Sequence, residues 1–208
     1  MKLSKDPLNI ITASVGGQGN ILASEIVGSS CTDSNLKVTI GETHGLSQRG
    51  GSVVSYKRVS NKIQYGPMVR RHEVDIILGF EPLEAFKVFL KYGNENTVVI
   101  LNNRPNYPTT VLSGLQKYPE LDEMIKYLDD NAKKVYVIEA TELAREAGNT
   151  VAMNVAMVGA LSGTGLLPVE RKTFEKIIGE IFSDRKFDIN IKAFKLGFKK
   201  IKEIEKEG

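Results

Sequence analysis

Short apolar runs recur along the chain, and polar or glycine-containing segments separate them. Such runs occupy residues 8–15, 75–80, 97–101 and 134–138, and residues 37–40 form a shorter one. Continuous apolar runs of this length are typical of strands that are buried on both faces of a parallel sheet. The pattern therefore predicts an α/β protein.

The segments between these runs show helical spacing of apolar residues. Helices are predicted at 21–27, from 81 onwards, at 121–128, 141–144, 151–161 and 174–182, with Thr173 as the N-cap of the last of these. The small residues of 151–161 permit close approach of another backbone, so this helix is expected either in the core or at a subunit contact. The final segment carries Phe187, Ile191, Phe194, Phe198 and Ile201 at spacings of four and three, the stripe of an amphipathic helix.

A β-hairpin is predicted from residues 53–59 and 63–65, which flank a polar turn at 60–62 and partly alternate between apolar and polar positions. The expected fold is thus a single Rossmann-like, open and mostly parallel sheet flanked by helices, with a hairpin insertion. We expect one domain at 1–183 followed by the C-terminal amphipathic helix at 184–208.

The amino-acid composition excludes several classes of protein. The 208 residues carry a formal net charge of only +3, which gives no indication of nucleic-acid binding. The single cysteine excludes an internal disulfide and any metal centre held by several cysteines of this chain alone. No apolar run reaches the ~20 residues of a membrane span, and residues 1–7 lack the apolar core of a signal peptide, so a cytoplasmic location is expected.

A glycine turn joins the first predicted strand to the first helix, through Gly16, Gly17, Gln18, Gly19 and Asn20. A strand, glycine loop and helix in this order place backbone N–H groups where open α/β sheets bind phosphate. The turn departs from a dinucleotide fingerprint at Leu22, where a third glycine is expected, although Glu42 stands near the position of the ribose-binding acid. No Gly-Lys-Ser/Thr follows, which disfavours a nucleoside-triphosphate loop. A turn that only lets helix and strand pack closely remains the alternative.

Residues 41–52 concentrate glycines and chemically varied side chains. Glycine in a regular element costs roughly 0.5–1 kcal/mol relative to alanine, so this density indicates an unusual backbone or close contacts. The candidate binding residues in this segment are Glu42, His44, Ser47, Gln48, Arg49, Gly50 and Gly51. They supply an anion, an imidazole, a hydroxyl, an amide and a guanidinium, as a recognition loop does. The alternative is a long polar turn between two strands.

The acidic residues Glu81 and Glu84 and the histidine His72 can be explained without a functional role. Glu81 and Glu84 can be read as an acid/base pair, but acidic residues in the first turn of a helix complement its dipole, and we favour that explanation. His72 lies between charged residues and is assigned no role.

The motifs at 15–20, 41–51 and 78–85 together resemble those of the gamma-type subunits of 2-oxoacid:ferredoxin oxidoreductases, and most closely the beta subunits of the indolepyruvate enzymes. The similarity runs from about residue 9 to residue 167, with Ser47 to Gly51 as its most specific part, and it implies that 1–183 is a domain of the gamma type.

This resemblance implies a subunit that works within a complex. A large partner subunit would hold thiamine diphosphate, magnesium and [4Fe-4S] clusters, and the complex would use coenzyme A and ferredoxin to decarboxylate an aryl 2-oxoacid oxidatively. No catalytic residue is then expected in this chain, and the glycine turn and the 41–52 segment would face a ligand or the partner. The competing hypothesis is a free-standing Rossmann-like nucleotide-binding domain.

Overall fold

The computed structural model describes residues 3–44, 51–107 and 109–207. Its centre is a six-stranded sheet with the strand order β2-β3-β1-β4-β5-β6. The strands are β1 Leu8–Val15, β2 Lys37–His44, β3 Ser52–Ser60, β4 Ile76–Gly79, β5 Val98–Asn102 and β6 Lys134–Ile138. Strands β1, β4, β5 and β6 pair in parallel, and β3 runs antiparallel to its neighbours β1 and β2. The expected open and mostly parallel sheet is confirmed.

Helices cover both faces of the sheet. They are α1 Asn20–Asp33, α2 Pro82–Tyr92, α3 Thr109–Leu112, α4 Leu121–Asn131, α5 Ala140–Ala147, α6 Met153–Thr164, α7 Arg171–Ile181 and α8 Asp184–Glu207, with a 3₁₀ turn at Thr150–Ala152. Residues of α1, α5, α6, α7 and α8 form one core with the sheet, while α2 and α4 form a second core on the opposite face. In the described part of the chain, no helix is long and apolar enough to cross a membrane.

The strand predicted at 53–59 is confirmed as β3, but the predicted hairpin with residues 63–65 is wrong. Residues 63–65 form no strand, and Ile63 is 54% exposed. The antiparallel partner of β3 is instead β2, which extends to His44, four residues beyond the predicted end. Because β2 and β1 occupy both edges of β3, a strand at 63–65 would have no edge of β3 to pair with.

The predicted N-cap of α7 is also wrong. The helix begins at Arg171 with Glu170 at the cap position, and the amide of Thr173 donates to the carbonyl of Glu170. Thr173 therefore already lies inside the first turn.

Helix α6 is a core helix whose small residues meet α8. A Cβ atom on Gly159 would lie 2.0 Å from the carbonyl oxygen of Phe194, and one on Gly197 would lie 1.9 Å from that of Ala156. The two backbones can approach this closely only because both positions are glycine. The amphipathic C-terminal segment thus packs directly on the central helix of its core.

Candidate functional site

Two glycines of the turn between β1 and α1 have a left-handed backbone. Gly17 and Gly19 have φ angles of 96° and 76°, in the left-handed region that glycine enters without a steric cost. Helix α1 begins at Asn20 immediately afterwards. A Cβ atom on Gly19 would come within 2.2 Å of the Nδ2 atom of Asn154 on α6. The turn is therefore held tightly between the end of β1 and the start of α6.

The polar side chains of the turn are used inside the fold. The Oε1 atom of Gln18 accepts from the amide of Val15 at 2.9 Å, and its Nε2 atom donates to the carbonyl of Phe80 at 3.3 Å. The buried Asn20 side chain donates to the Ser14 hydroxyl at 2.8 Å. The turn can offer backbone N–H groups to a ligand, because the first N–H groups of a helix have no partner within the helix.

A crevice of about 460 Å³ adjoins this turn. It is lined by Gly17 to Gly19, by Arg104 in the loop that follows β5, by Val151 in the 3₁₀ turn and by Asn154 at the start of α6. The crevice lies at the carboxyl ends of parallel strands, where open α/β sheets bind ligands. A guanidinium beside helix N-termini favours an anionic group. The Arg104 side chain is 57% exposed, and its NH1 atom lies 3.9 Å from a carboxylate oxygen of Glu142.

Near this edge of the sheet, Glu81 links Asn106 and Tyr118 to the start of α2. Its buried carboxylate accepts from the Glu84 amide at 2.8 Å, the Tyr118 hydroxyl at 2.5 Å and the Asn106 amide at 3.3 Å. Burial raises the pKa of Glu81, against the lowering effect of these hydrogen bonds. The Glu84 carboxylate binds the Lys87 ammonium at 2.8 Å. Glu81 is therefore the cap of α2, and the helix-start interpretation is confirmed.

The two glycine-containing segments meet at one backbone contact. The amide of Gly16 donates to the carbonyl of Gly51 at 2.8 Å, which places the end of β1 beside the start of β3. Residues 41–44 continue β2 rather than forming a loop. Ser47, Gln48, Arg49 and Gly50 lie outside the described residues.

Glu42 does not line the crevice beside the glycine turn. It lies on β2 and borders a separate groove between β2 and α1, and its Oε1 atom accepts from the Ser55 hydroxyl at 3.1 Å. Strand β3 separates β2 from β1, whereas a dinucleotide fold places the strand with the ribose-binding acid directly beside the first strand. The geometry thus disfavours the dinucleotide interpretation of Glu42.

Sequence reasoning missed Lys57, a lysine that is only 1% exposed on β3. Its Nζ atom donates to the Thr12 hydroxyl at 2.7 Å. Burial lowers the pKa of this lysine to about 7, and the charges of Glu42 and Cys31 act in the opposite direction. Burial also raises the pKa of the Cys31 thiol to about 12. The sequence gives no clear signal for this burial, because Ser55 shares the strand face of Lys57 with Val53 and Val59.

Comparison with known proteins decides the family. Residues 9–200 match the sequence profile of pyruvate ferredoxin/flavodoxin oxidoreductase. The chain belongs to this family. Among curated relatives, the indolepyruvate oxidoreductase subunit IorB of Thermococcus kodakarensis is 40% identical over 197 residues, which cover 94% of this chain and 96% of the relative.

Solved structures of similar fold include the gamma subunit of a keto/oxoacid ferredoxin oxidoreductase from Geobacter sulfurreducens. It has a TM-score of 0.68 at 21% identity, with 94% of this chain and 99% of that chain covered. The 2-oxoglutarate:ferredoxin oxidoreductase of Magnetococcus marinus has a TM-score of 0.72 at 20% identity. There the match covers 96% of this chain but only 32% of the other. The oxidoreductase family fold thus occurs both as a chain of this size and within a longer one.

Proposed function

We propose that this chain is the auxiliary subunit of an indolepyruvate:ferredoxin oxidoreductase. The observation that carries the proposal is the 40% identity to an indolepyruvate oxidoreductase subunit along nearly the whole length of both chains. The complex would convert an aryl pyruvate and coenzyme A into aryl-acetyl-CoA and carbon dioxide, with ferredoxin as the electron acceptor, in the cytoplasm.

The chemistry of its own side chains supports an auxiliary role. An iron–sulfur cluster is held by thiolates, commonly four, but this chain has one cysteine, and burial raises the pKa of its thiol to about 12. Cys31 therefore stays a protonated thiol within the core and does not fit a cluster ligand. Among the described residues, no group of three or more His, Cys, Asp and Glu side chains is arranged to hold a metal ion. In our proposal a larger partner subunit holds the clusters, thiamine diphosphate and magnesium.

The parts of this chain proposed to face the partner or a ligand are the glycine turn and the segment from Glu42 to Gly51. The contact between Gly16 and Gly51 supports treating the glycine turn and the end of that segment as one region, while Glu42 borders the separate groove between β2 and α1. We retain a gamma-type domain at 1–183 and a C-terminal helix at 184–208 as part of the proposal, and the start of α8 at Asp184 supports that division.

Reconstitution tests the proposal. The chain alone should show no turnover, and addition of the larger subunit with its cofactors should give coenzyme A-dependent reduction of a viologen dye with indolepyruvate. Pyruvate and 2-oxoglutarate serve as controls for substrate class. Turnover by the chain alone would contradict an auxiliary role. Nucleotide released from the purified chain after denaturation would favour the free-standing nucleotide-binding domain instead.

A further inference from the structure

Strand β2 forms one open end of the sheet. Within the described residues it pairs only with β3, and the register runs without interruption from Lys37 opposite Ser60 to His44 opposite Val53. Proteins commonly protect such edges with prolines, bulges or very short strands. Eight residues of regular strand without a proline or bulge therefore offer a template for another strand.

The backbone groups that face outwards can be identified from the neighbouring strands. The carbonyl of Ala13 on β1 accepts from the Phe80 amide next to β4 at 2.8 Å, so the odd-numbered residues of β1 direct their backbone groups towards β4. In antiparallel pairs, residues alternate between those bonded to the partner and those directed away from it. The even-numbered residues of β1 then face β3 and pair with its odd-numbered residues, so the even-numbered residues of β3 face β2. These pair with the odd-numbered residues of β2. The backbone groups of Val38, Ile40 and Glu42 are therefore directed to the open edge.

The side chains of the same three residues line the groove between β2 and α1, which has a volume of about 820 Å³. Ile40 and Ile21, from opposite walls of the groove, are 39% and 59% exposed. The exposed carboxylate of Glu25 also lines the groove, beside that of Glu42, whose charge acts on the buried Lys57, and the described lining residues include no lysine or arginine. The Asp33 carboxylate lines the groove too and is bound by the Lys176 ammonium at 2.5 Å.

We propose that the open edge of β2 and this groove bind an extended segment of the larger subunit. The segment would add a seventh strand beside β2 and place alternate side chains, apolar ones and a lysine or arginine, in the groove. Main-chain hydrogen bonds would supply affinity and the groove would supply specificity, as in other cases of strand addition. This inference rests on the proposed function, since it assigns a surface to the partner subunit.

Charge favours a different partner over a second copy of this chain. A second copy would bring an identical groove with the carboxylates of Glu25 and Glu42 to the same contact, and like charges at an interface are unfavourable. A basic side chain from the larger subunit would instead meet the exposed Glu25 carboxylate with opposite charge.

Proline substitution tests the edge directly. Ile40→Pro removes an N–H group that points away from β3, so the sheet keeps its hydrogen bonds and proline is tolerated at such an edge position. Binding to immobilised, cofactor-loaded larger subunit should weaken by about 100-fold, because both the main-chain bond and the isoleucine side chain are lost. Ile40→Ala keeps the N–H group and should weaken binding by only about tenfold.

Two further variants keep the test independent of folding. Glu25→Lys lies on the exposed surface of α1 and should weaken binding by about tenfold, chiefly through slower association at low salt. Leu90→Glu is the matched control on α2, where the side chain is 49% exposed on the other face of the sheet, and should bind like the wild type.

The outcomes separate this inference from the proposed function. Wild-type binding and turnover together with unchanged binding by Ile40→Pro and Glu25→Lys would overturn the docking surface and leave the function standing. A wild-type chain that neither binds the larger subunit nor supports turnover would overturn both. Self-association of the isolated chain that Ile40→Pro abolishes would assign the edge to a second copy and overturn the proposal.

Discussion

Gly17, Gly19 and Gly28 lie close together in sequence, but their surroundings differ. Gly17 and Gly19 share a positive φ, yet a Cβ atom on Gly17 would meet nothing within 4 Å, whereas one on Gly19 would lie 2.2 Å from Asn154. A Cβ atom on Gly28 would meet the Cδ1 atom of Ile40 at 2.7 Å. That atom is the end of a flexible side chain and can rotate away.

These surroundings predict the order of three alanine variants. Gly17→Ala should lower the free energy of unfolding by about 1 kcal/mol through the left-handed backbone alone. Gly19→Ala should cost about 2–3 kcal/mol, because the displacement of Asn154 is added. Gly28→Ala should stay within about 0.5 kcal/mol of the wild type, since alanine also favours the helix. Chemical denaturation measures the free energy of unfolding of all three variants. Equal losses for Gly17→Ala and Gly19→Ala would show that the contact with Asn154 adds no cost.

The buried Lys57 predicts an unusual pH dependence of stability. Its pKa is about 7 in the folded chain and about 10.4 when unfolded, so between these values the unfolded chain binds more protons. The free energy of unfolding should therefore rise with pH above about 7, by up to about 1.4 kcal/mol per unit. The groups whose charges act on this amine are Glu42 and Cys31.

Lys57→Met should flatten this rise. The comparison is best made by urea denaturation between pH 7.0 and 8.5, because the raised pKa of Cys31 acts in the opposite direction at higher pH. Over that window the wild type should gain about 1–2 kcal/mol relative to the variant. Parallel curves for the two proteins would show that Lys57 stays charged in the fold.

At the scale of single residues, the sequence predicted backbone features better than side-chain partners. The tight turn after β1, where Gly17 and Gly19 have positive φ, is marked in the sequence by its glycines, which are a local feature. The inward hydrogen bonds of Gln18 and Asn20 and the burial of Lys57 depend on groups from other strands. Their positions in the fold cannot be read from spacing along the chain.

At the scale of elements, the contact between α6 and α8 gives the most specific prediction. Gly159→Ala and Gly197→Ala should each lower the free energy of unfolding by several kcal/mol, since the added atom would meet backbone carbonyls that cannot rotate away. Gly179→Ala on α7 is the matched control, with its nearest neighbour an atom of Phe187 at 3.5 Å. The control should be neutral or stabilised by up to about 1 kcal/mol through helix propensity. Similar melting temperatures for all three variants would contradict close packing of α6 on α8.

The elements that were predicted accurately are those with a local signature. The predicted first and last residues of β1 and β6 match the structure, because polar or glycine-rich segments flank both apolar runs. The partner of β3 was not predicted correctly, since pairing depends on which sheet edges remain free, and this is decided by the complete strand order. The extension of β2 through Gly41 was missed for a related reason, because the glycine there makes room for Pro67, which a Cβ atom would meet at 2.6 Å.

At the scale of the whole molecule, the fold brings the ends of β1 and β3 together beside the crevice through the Gly16 and Gly51 contact. The segment that the family resemblance marks as most specific leads into this point. Arg49 belongs to that segment and lies outside the described residues, so its role is a prediction from the sequence. We expect its guanidinium to bind the partner subunit or an anionic group at the boundary, where bidentate geometry is useful.

Arg49→Lys keeps the charge but loses the forked geometry, so it should weaken the activity of the reconstituted complex, and Arg49→Ala should weaken it further, by about 10- to 100-fold. Both variants should leave the free energy of unfolding of the isolated chain within about 0.5 kcal/mol, as expected for a surface site. Arg70→Ala is the matched control, since that side chain is 84% exposed and its guanidinium lies 3.9 Å from the Glu73 carboxylate. Thermal unfolding of the free chain, measured beside viologen reduction by the complex, distinguishes a role of Arg49 at the subunit boundary from a role in stabilising its own loop. A large fall in melting temperature with a proportionate loss of activity would show that Arg49 stabilises its own loop rather than the subunit boundary.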